Sequence, residues 1–144
     1  MAQRRSILVV DDELGPRESL RMILKPIYEV QTAANGQEAL QFIDREKFDL
    51  VTLDLKMPGM PGLDVLREIK KHRGDVEVII ITGYGTLANA TEAIRCGAVD
   101  FISKPFNVAD IVAVVGRSIE RRNLQSQMKD LGQKSKGSSR TGEN

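Results

Sequence analysis

The stretch Leu50-Val51-Thr52-Leu53-Asp54 is a short apolar run that ends directly in a carboxylate. Three other apolar runs also end in reactive groups: residues 7–10 lead into Asp11-Asp12-Glu13, residues 78–81 into Thr82-Gly83, and residues 99–102 into Ser103-Lys104-Pro105. In open parallel sheets, the carboxyl ends of the strands are where sites form. If these runs are parallel strands of one sheet, three carboxylates, a hydroxyl and an ammonium meet at that edge.

The spacing of the apolar runs predicts an α/β fold. Short apolar runs alternate with amphipathic stretches, a rhythm that indicates repeated strand-helix units and a parallel sheet. The expected strands are residues 7–10, 28–32, 49–53, 76–81 and 99–102, and the expected helices are residues 16–25, 36 onward, 63–74, 86–96 and 108 onward. The second strand alternates polar and apolar residues, which favours a place at the sheet edge. The last helix is predicted to bury Val108, Ile111, Val112, Val115 and Ile119.

Composition limits the classes of protein to which the chain can belong. Its 144 residues, 41% apolar and 28% charged, fit one globular domain. The longest apolar run is too short for a transmembrane helix, and the N-terminus lacks a secretory signal, so a cytoplasmic protein without membrane contact is expected. The single cysteine and single histidine leave no internal disulfide and are too few for a zinc site.

The C-terminal end of the chain is basic and polar. Residues 117–144 contain seven Lys or Arg against three Asp or Glu, although the whole chain has a net charge of only +1. A solvated tail explains this bias better than nucleic-acid binding. We predict a domain over residues 1–125 and a disordered tail or linker over residues 126–144, because the latter has too little apolar surface to offset ordering entropy.

The acidic residues at the strand ends suit a magnesium ion. Mg²⁺ prefers oxygen ligands, which Asp11, Asp12 and Asp54 can supply together with a backbone carbonyl just after Asp54. Lys104 can pair with Asp54, and later with a phosphoryl oxygen, while the following proline permits a cis peptide that would aim the lysine inward. Thr82 offers a hydroxyl on the neighbouring strand.

Four segments, taken together and in this order, resemble the receiver domain of bacterial two-component response regulators. They are Ile7-Leu8-Val9-Val10-Asp11-Asp12, Leu53-Asp54-Leu55-Lys56-Met57-Pro58-Gly59, Ile81-Thr82-Gly83 and Phe101-Ile102-Ser103-Lys104-Pro105-Phe106. The resemblance covers roughly residues 5 to 122 and implies a doubly wound, flavodoxin-like fold. In that fold, five parallel strands have the order 2-1-3-4-5 and helices lie on both faces. With Tyr84-Gly85-Thr86 after Thr82-Gly83, the chain resembles receivers of nitrogen-regulatory-type activators, and it also resembles chemotaxis-type single-domain regulators.

The resemblance also implies roles for the site residues. Asp54 would accept a phosphoryl group from the phosphohistidine of a sensor kinase, with Mg²⁺ and Lys104 neutralising the developing charge. Asp11, Asp12, Asp54 and the carbonyl of Lys56 would be the metal ligands. Thr82 would bind a phosphoryl oxygen and let Phe101, the switch aromatic, turn inward.

The resemblance also implies a signalling surface and two side chains that affect how long the phosphoryl group persists. The face formed by the fourth helix, fifth strand and fifth helix would repack and control a downstream protein or effector domain, or a phosphorylation-dependent homodimer. Val114 is expected to face outward there. Lys56 and Tyr84 stand at positions that in the family tune loss of the phosphoryl group, and their bulk should slow its hydrolysis.

Several readings remain open on the sequence alone. The chain is either a complete single-domain regulator or the receiver of a longer activator, and any DNA binding would lie outside it. A Mg²⁺-dependent phosphohydrolase with an aspartyl-phosphate is the alternative, although the second acid of such enzymes is replaced here by Lys56. A flavodoxin-like electron carrier would share the sheet but lacks its phosphate loop after the first strand.

Overall fold

The computed structural model describes the backbone of residues 4–143 and the side chains of residues 4–132. Within this range strands and helices alternate: β1 (Ser6–Val10), α1 (Leu14–Leu24), β2 (Glu29–Ala33), α2 (Gly36–Arg45), β3 (Leu50–Leu53), α3 (Gly62–His72), β4 (Glu77–Thr82), α4 (Leu87–Arg95), β5 (Asp100–Ser103) and α5 (Val108–Glu143). Each predicted element is present, and most boundaries differ from the prediction by one or two residues.

All strands are parallel and lie in one sheet with the order β2-β1-β3-β4-β5. This confirms the predicted 2-1-3-4-5 order, and it confirms β2 as an edge strand. Val10 is paired in register with Leu53, and Leu53 with Ile80. The chain therefore leaves β1, β3 and β4 at neighbouring points on one edge of the sheet.

Helices cover both faces of the sheet, as the doubly wound fold requires. On one face, buried residues of α1 and α5 pack on the strands: Leu20, Leu24, Ile111, Val115 and Ile119. On the other face, the buried residues come from α2, α3 and α4: Ala39, Ile43, Val65, Leu66, Ile69 and Ala93. Burying one such aliphatic side chain fully contributes about 1.5–3 kcal/mol, so the two layers fix the sheet that carries the site.

Helix ends follow local chemistry that the sequence reveals. Asn35 caps α2 by accepting from Glu38 N at 2.8 Å, and Thr86 caps α4 by accepting from Asn89 N at 3.0 Å. Gly97, directly after α4, has φ +109°, a left-handed conformation that glycine adopts readily. The prediction for α1 was wrong at its start, because the helix begins at Leu14 with Glu13 at the N-cap rather than at Pro16.

The predicted inward face of α5 was partly wrong. Ile111, Val115 and Ile119 are buried, but Val108 is 58% and Val112 38% exposed. Val114, expected to face outward, is instead half-buried against the α1/α5 core. Val108 has nearly the same angular position as Val115 but lies in the first helical turn, at the exposed end of the helix. Val112 is about 100° around the helix from Ile111 and so falls outside the narrow buried stripe.

Helix α5 also continues beyond the predicted domain boundary. Its backbone is helical through Glu143, whereas disorder was expected from residue 126 onward, and residue 144 lies outside the described range. The side chains of residues 124–132 are all exposed. Once a helix is nucleated, each added residue gains a backbone hydrogen bond, and Leu, Gln, Met and Lys are good helix formers.

Candidate functional site

Asp11 and Asp54 lie side by side at the carboxyl edge of the sheet. Asp54 N donates to Val10 O at 3.2 Å, and Asp11 N donates to Ala33 O at 3.1 Å, so both residues extend the strand ladders. The side chains of both residues are almost completely buried, with residue exposures of 1% for Asp11 and 3% for Asp54. Two carboxylates that are this deeply buried need hydrogen-bond or charged partners to compensate for the loss of water.

Lys104 supplies that compensation from the end of β5. Its Nζ lies 2.8 Å from Asp11 Oδ2 and 2.8 Å from Asp54 Oδ2. Its backbone N donates to Thr82 O at 2.8 Å, and the Lys104–Pro105 peptide is cis. Burial alone would lower the pKa of Lys104, but the hydrogen bonds to Asp11 and Asp54 raise it above its ordinary value. The ammonium therefore stays charged between the two acids.

The second oxygen of Asp54 is also bound by the protein. Thr82 Oγ1 donates to Asp54 Oδ1 at 2.6 Å, and Lys56 N donates to the same oxygen at 3.2 Å. Thr82 Oγ1 in turn accepts from Tyr84 N at 3.2 Å. One carboxylate is thus held by an ammonium, a hydroxyl and an amide, which fixes its orientation toward the edge of the sheet.

The acids form one cluster of oxygen ligands. Carboxylate oxygens of Asp11, Asp12, Glu13 and Asp54 all lie within 4.8 Å of one another. Burial raises the pKa of Asp11 above its usual range, against the lowering effect of its hydrogen bonds with Lys104 and Glu13 N. A set of hard oxygen donors around shared space fits a divalent cation such as Mg²⁺. The structure therefore brings the three predicted acids together and adds the carboxylate of Glu13, to which no metal-binding role was assigned from the sequence although it follows Asp12 directly.

A glycine that sequence analysis missed sets the backbone of Asp54. A Cβ on Gly62 would lie 2.1 Å from the carbonyl oxygen of Asp54 and 2.6 Å from Leu55 Cα. Gly62 N donates to Leu55 O at 2.8 Å, so the start of α3 closes directly on the loop after β3. The only sequence signal is the Pro61-Gly62 pair before the helix, which marks a helix start but not this close approach.

Two loop side chains flank the acidic cluster. Lys56 Nζ lies 4.5 Å from the centroid of the Tyr84 ring, a cation–π contact between the loops after β3 and β4. On the other side, a cavity of about 820 Å³ opens beside Asp12 and is lined by Asn35, Pro58 and Met60 among others. The Lys56–Tyr84 contact thus joins the loops that follow the strands of Asp54 and Thr82, and the cavity opens beside Asp12.

The predicted switch aromatic lies on β5, two strands away from β3 and Asp54 in the sheet order. Phe101, on β5, is half-buried and packs against the core formed with α2, α3 and α4. A Cβ on Gly85 would be 3.3 Å from the Phe101 ring and 2.4 Å from Ser103 Oγ, so the loop after β4 lies directly on β5. The loop that carries Tyr84 and the residue before Lys104 are therefore in close contact.

Taken together, the parallel sheet and its acidic edge define a receiver domain. The chain belongs to the response regulator receiver domain family of two-component systems, whose model matches residues 7–116. This confirms the family that the four sequence segments indicated.

Some similar proteins are about as long as this chain, and others are several times longer. Sporulation initiation phosphotransferase F of Bacillus subtilis is 41% identical over 106 residues, which is 73% of this chain and 86% of that protein. Regulatory protein AtoC of Escherichia coli is 34% identical over 128 residues, 88% of this chain but 28% of AtoC. The chain thus spans little more than a quarter of AtoC.

Similar solved structures likewise include both longer proteins and single receiver domains. NtrX from Brucella abortus matches with a TM-score of 0.85 and 38% identity, over 90% of this chain and 30% of that one. A CheY-like receiver domain protein from Methanospirillum hungatei matches with a TM-score of 0.83 and 32% identity, over 85% of this chain and 99% of that one.

None of the helices in the described residues combines the length and apolarity needed to cross a bilayer.

Proposed function

We propose that the chain is a phosphorylation-activated switch in which Asp54 is the phosphoacceptor. The observation that carries this proposal is the shared ammonium: Lys104 Nζ is 2.8 Å from both Asp54 and Asp11, while Thr82 holds the other Asp54 oxygen. In a phosphoryl transfer the protein contributes mainly positioning and charge neutralisation, and these contacts are suited to both. The donor is the phosphohistidine of a sensor kinase, as for other receivers of two-component systems.

The reaction uses groups already in place. An Asp54 oxygen attacks phosphorus, the new O–P bond forms as the P–N bond to the histidine breaks, and the imidazole leaves with the bonding electrons. The Lys104 ammonium pairs with the Asp54 carboxylate before the transfer and with a phosphoryl oxygen after it, so it stabilises the negative charge throughout. A Mg²⁺ ion held by Asp11, Asp12, Asp54 and the Lys56 carbonyl would supply further positive charge beside that group.

We infer that signalling begins when the Thr82 hydroxyl changes its hydrogen-bond acceptor. Its hydroxyl now donates to Asp54 Oδ1 and would donate to a phosphoryl oxygen after transfer, drawing the loop after β4 toward the site. That loop lies against Phe101, so its movement lets the ring turn inward and repacks the face of α4, β5 and α5. A phosphoryl group adds a charge of about −1.5 to −2, enough to bias such a two-state element.

The output surface is proposed on that same face. Its exposed apolar side chains are Leu87 and Ile94 on α4 with Val108 and Val112 on α5, and these replace Val114 as candidates. A downstream effector or a second copy of the chain would bind there. The proposed switching unit is residues 1–125 of a cytoplasmic protein that contacts neither nucleic acid nor membrane through this domain.

The test is labelling with acetyl phosphate and Mg²⁺, with intact mass and association state measured on the same sample. The wild-type protein should gain one phosphoryl group, and Asp54→Asn should gain none. Thr82→Ala should be labelled but should not change its association state. A wild-type protein that gains no mass, or an Asp54→Asn protein that does, would refute the assignment. Turnover of phosphomonoesters instead of stoichiometric labelling would favour the phosphohydrolase alternative.

A further inference from the structure

Glu13 lies at the N-terminus of α1, where the helix dipole favours a negative charge but side-chain capping plays no part. It is the N-cap residue of α1, but its side chain makes no capping hydrogen bond. Ser, Thr, Asp and Asn are the residues that cap helices well, so capping gives no reason for a glutamate here. Its backbone groups are both used locally: Glu13 N donates to Asp11 Oδ1 at 2.9 Å, and Glu13 O accepts from Arg17 N at 3.2 Å.

The Glu13 carboxylate instead faces the phosphorylation site. Its Oε1 lies 3.8 Å from Lys104 Nζ, and the side chain is 66% exposed at the mouth of the acidic cluster. One of its carboxylate oxygens also lies within 4.8 Å of oxygens from Asp11, Asp12 and Asp54. The site therefore contains four carboxylates around one lysine, and the fourth is the one nearest to solvent.

This fourth carboxylate changes the charge that an incoming donor meets. Four carboxylates and one ammonium carry three negative charges, of which a divalent cation would leave one. Without Glu13 the cation-loaded site would be neutral. Because like charges repel and opposite charges attract over such distances, Glu13 should strengthen cation binding and oppose strongly anionic phosphodonors.

We propose that Glu13 sets the charge of the site, raising its affinity for Mg²⁺ and selecting against dianionic small phosphodonors in favour of less charged nitrogen-linked ones. This inference rests on the proposed function of Asp54. Glu13 is a positioning residue, since it acts on the cation and the donor through the field at the mouth of the site. The chain would thereby favour a phosphohistidine on its kinase over acyl phosphates in solution.

Two small donors separate these effects. With acetyl phosphate, the Asp54 oxygen bonds to phosphorus while the P–O bond breaks and acetate leaves with the electron pair. With phosphoramidate, the P–N bond breaks and the already protonated nitrogen leaves as ammonia. The phosphoramidate zwitterion carries less net negative charge, so repulsion by Glu13 should slow the acetyl phosphate reaction more. Since Glu13 is largely exposed and screened by water, each effect should be about two- to fivefold.

The experiment compares wild type with Glu13→Gln, Glu13→Asp and the control Glu18→Gln. Glu18 is also on α1, but it pairs with Arg21 and lies outside the acidic cluster. Calorimetric titration with Mg²⁺, without any donor, should show about two- to fivefold weaker binding for Glu13→Gln. At saturating Mg²⁺, the ratio of the acetyl phosphate rate to the phosphoramidate rate should rise by a similar factor, and high salt should reduce the difference.

The controls decide between charge and structure. Glu13→Asp keeps the charge and should stay nearer to wild type in both measurements, while Glu18→Gln should match wild type. An unchanged rate ratio in Glu13→Gln, unchanged Mg²⁺ affinity, or an equal change in Glu18→Gln would overturn the inference. Failure of the proposed function would look different, because wild-type Asp54 would then accept no phosphoryl group from either donor.

Discussion

Replacing Lys104 with methionine should destabilise the fold strongly at neutral pH. Methionine keeps most of the apolar stem, so the change removes mainly the charge and its two 2.8 Å contacts with Asp11 and Asp54. Those carboxylates have side-chain exposures of only 2% and 4%, and Lys104 itself is 13% exposed. Breaking a buried pair by removing one partner costs about 3–5 kcal/mol, and access of water to Lys104 points to the lower end, about 3 kcal/mol.

The pH dependence has a defined sign. Burial already raises the pKa of Asp11 in the folded protein, and loss of Lys104 removes the hydrogen bond that opposes this rise. A carboxyl group with a raised folded pKa binds its proton more readily when folded, so the folded state gains stability as pH falls through that pKa. The deficit of Lys104→Met should therefore shrink as the pH is lowered from 7 toward 5.

Urea unfolding of wild type and Lys104→Met, at both pH values and with chelator present, measures this deficit. Lys47→Met is the matched control, since Lys47 is exposed and away from the acids, and it should change the unfolding free energy by less than about 0.5 kcal/mol. A deficit below about 1 kcal/mol at pH 7 would show that water, not Lys104, compensates the buried acids. A deficit that grows on acidification would contradict the assigned cause.

Three further predictions, tested with four variants, concern packing and chemistry elsewhere in the domain. Gly62→Ala should destabilise by about 3 kcal/mol in urea unfolding and impair labelling, because its Cβ would lie 2.1 Å from a backbone oxygen. Gly116→Ala, where a Cβ meets nothing within 4 Å on helix α5, should instead stabilise by about 0.5–1 kcal/mol; the reverse order would refute the steric argument. Thr52→Val should stabilise by about 1 kcal/mol, since Thr52 Oγ1 is buried without a hydrogen-bond partner among the described residues, and a loss of stability on thermal unfolding would imply a partner for that hydroxyl. Lys56→Ala/Tyr84→Ala should lose the phosphoryl group several-fold faster than wild type in a mass-resolved decay, because the cation–π pair flanking the site is removed; equal or slower loss would count against shielding.

The strands and the strand-end residues were predictable from sequence because each leaves a local signal. A run such as residues 78–81 is apolar at every position, which is typical of a strand buried on both faces, and the residue that follows it is fixed at the sheet edge. The predicted order 2-1-3-4-5 came from family resemblance, and the structure confirms it. Asp54, Thr82 and Lys104 therefore meet as expected, although their chemical roles stay predictions.

What sequence did not predict depends on three-dimensional neighbours. Val112 and Val114 are the same residue type two positions apart, and only the rotation of α5 on the sheet decides which is covered. Glu13 has no local signal that assigns it to the site, and its place there depends on Lys104, whose Nζ lies 3.8 Å from Glu13 Oε1. Glycine is needed at position 62 because the start of α3 lies against the backbone of Asp54 and Leu55. The conformational preferences of the residues around Gly62 do not reveal this contact.

The acidic edge is assembled from distant parts of the chain. Lys104 is 93 residues from Asp11 and 50 from Asp54, and it is carried by an edge strand of four residues that are all partly exposed. Short edge strands are among the elements that open locally before the rest of a domain unfolds. Detachment of β5 alone would withdraw the ammonium and leave Asp11 and Asp54 buried without their shared cationic partner. The geometry of the acidic edge therefore depends on the last strand of the sheet being in place.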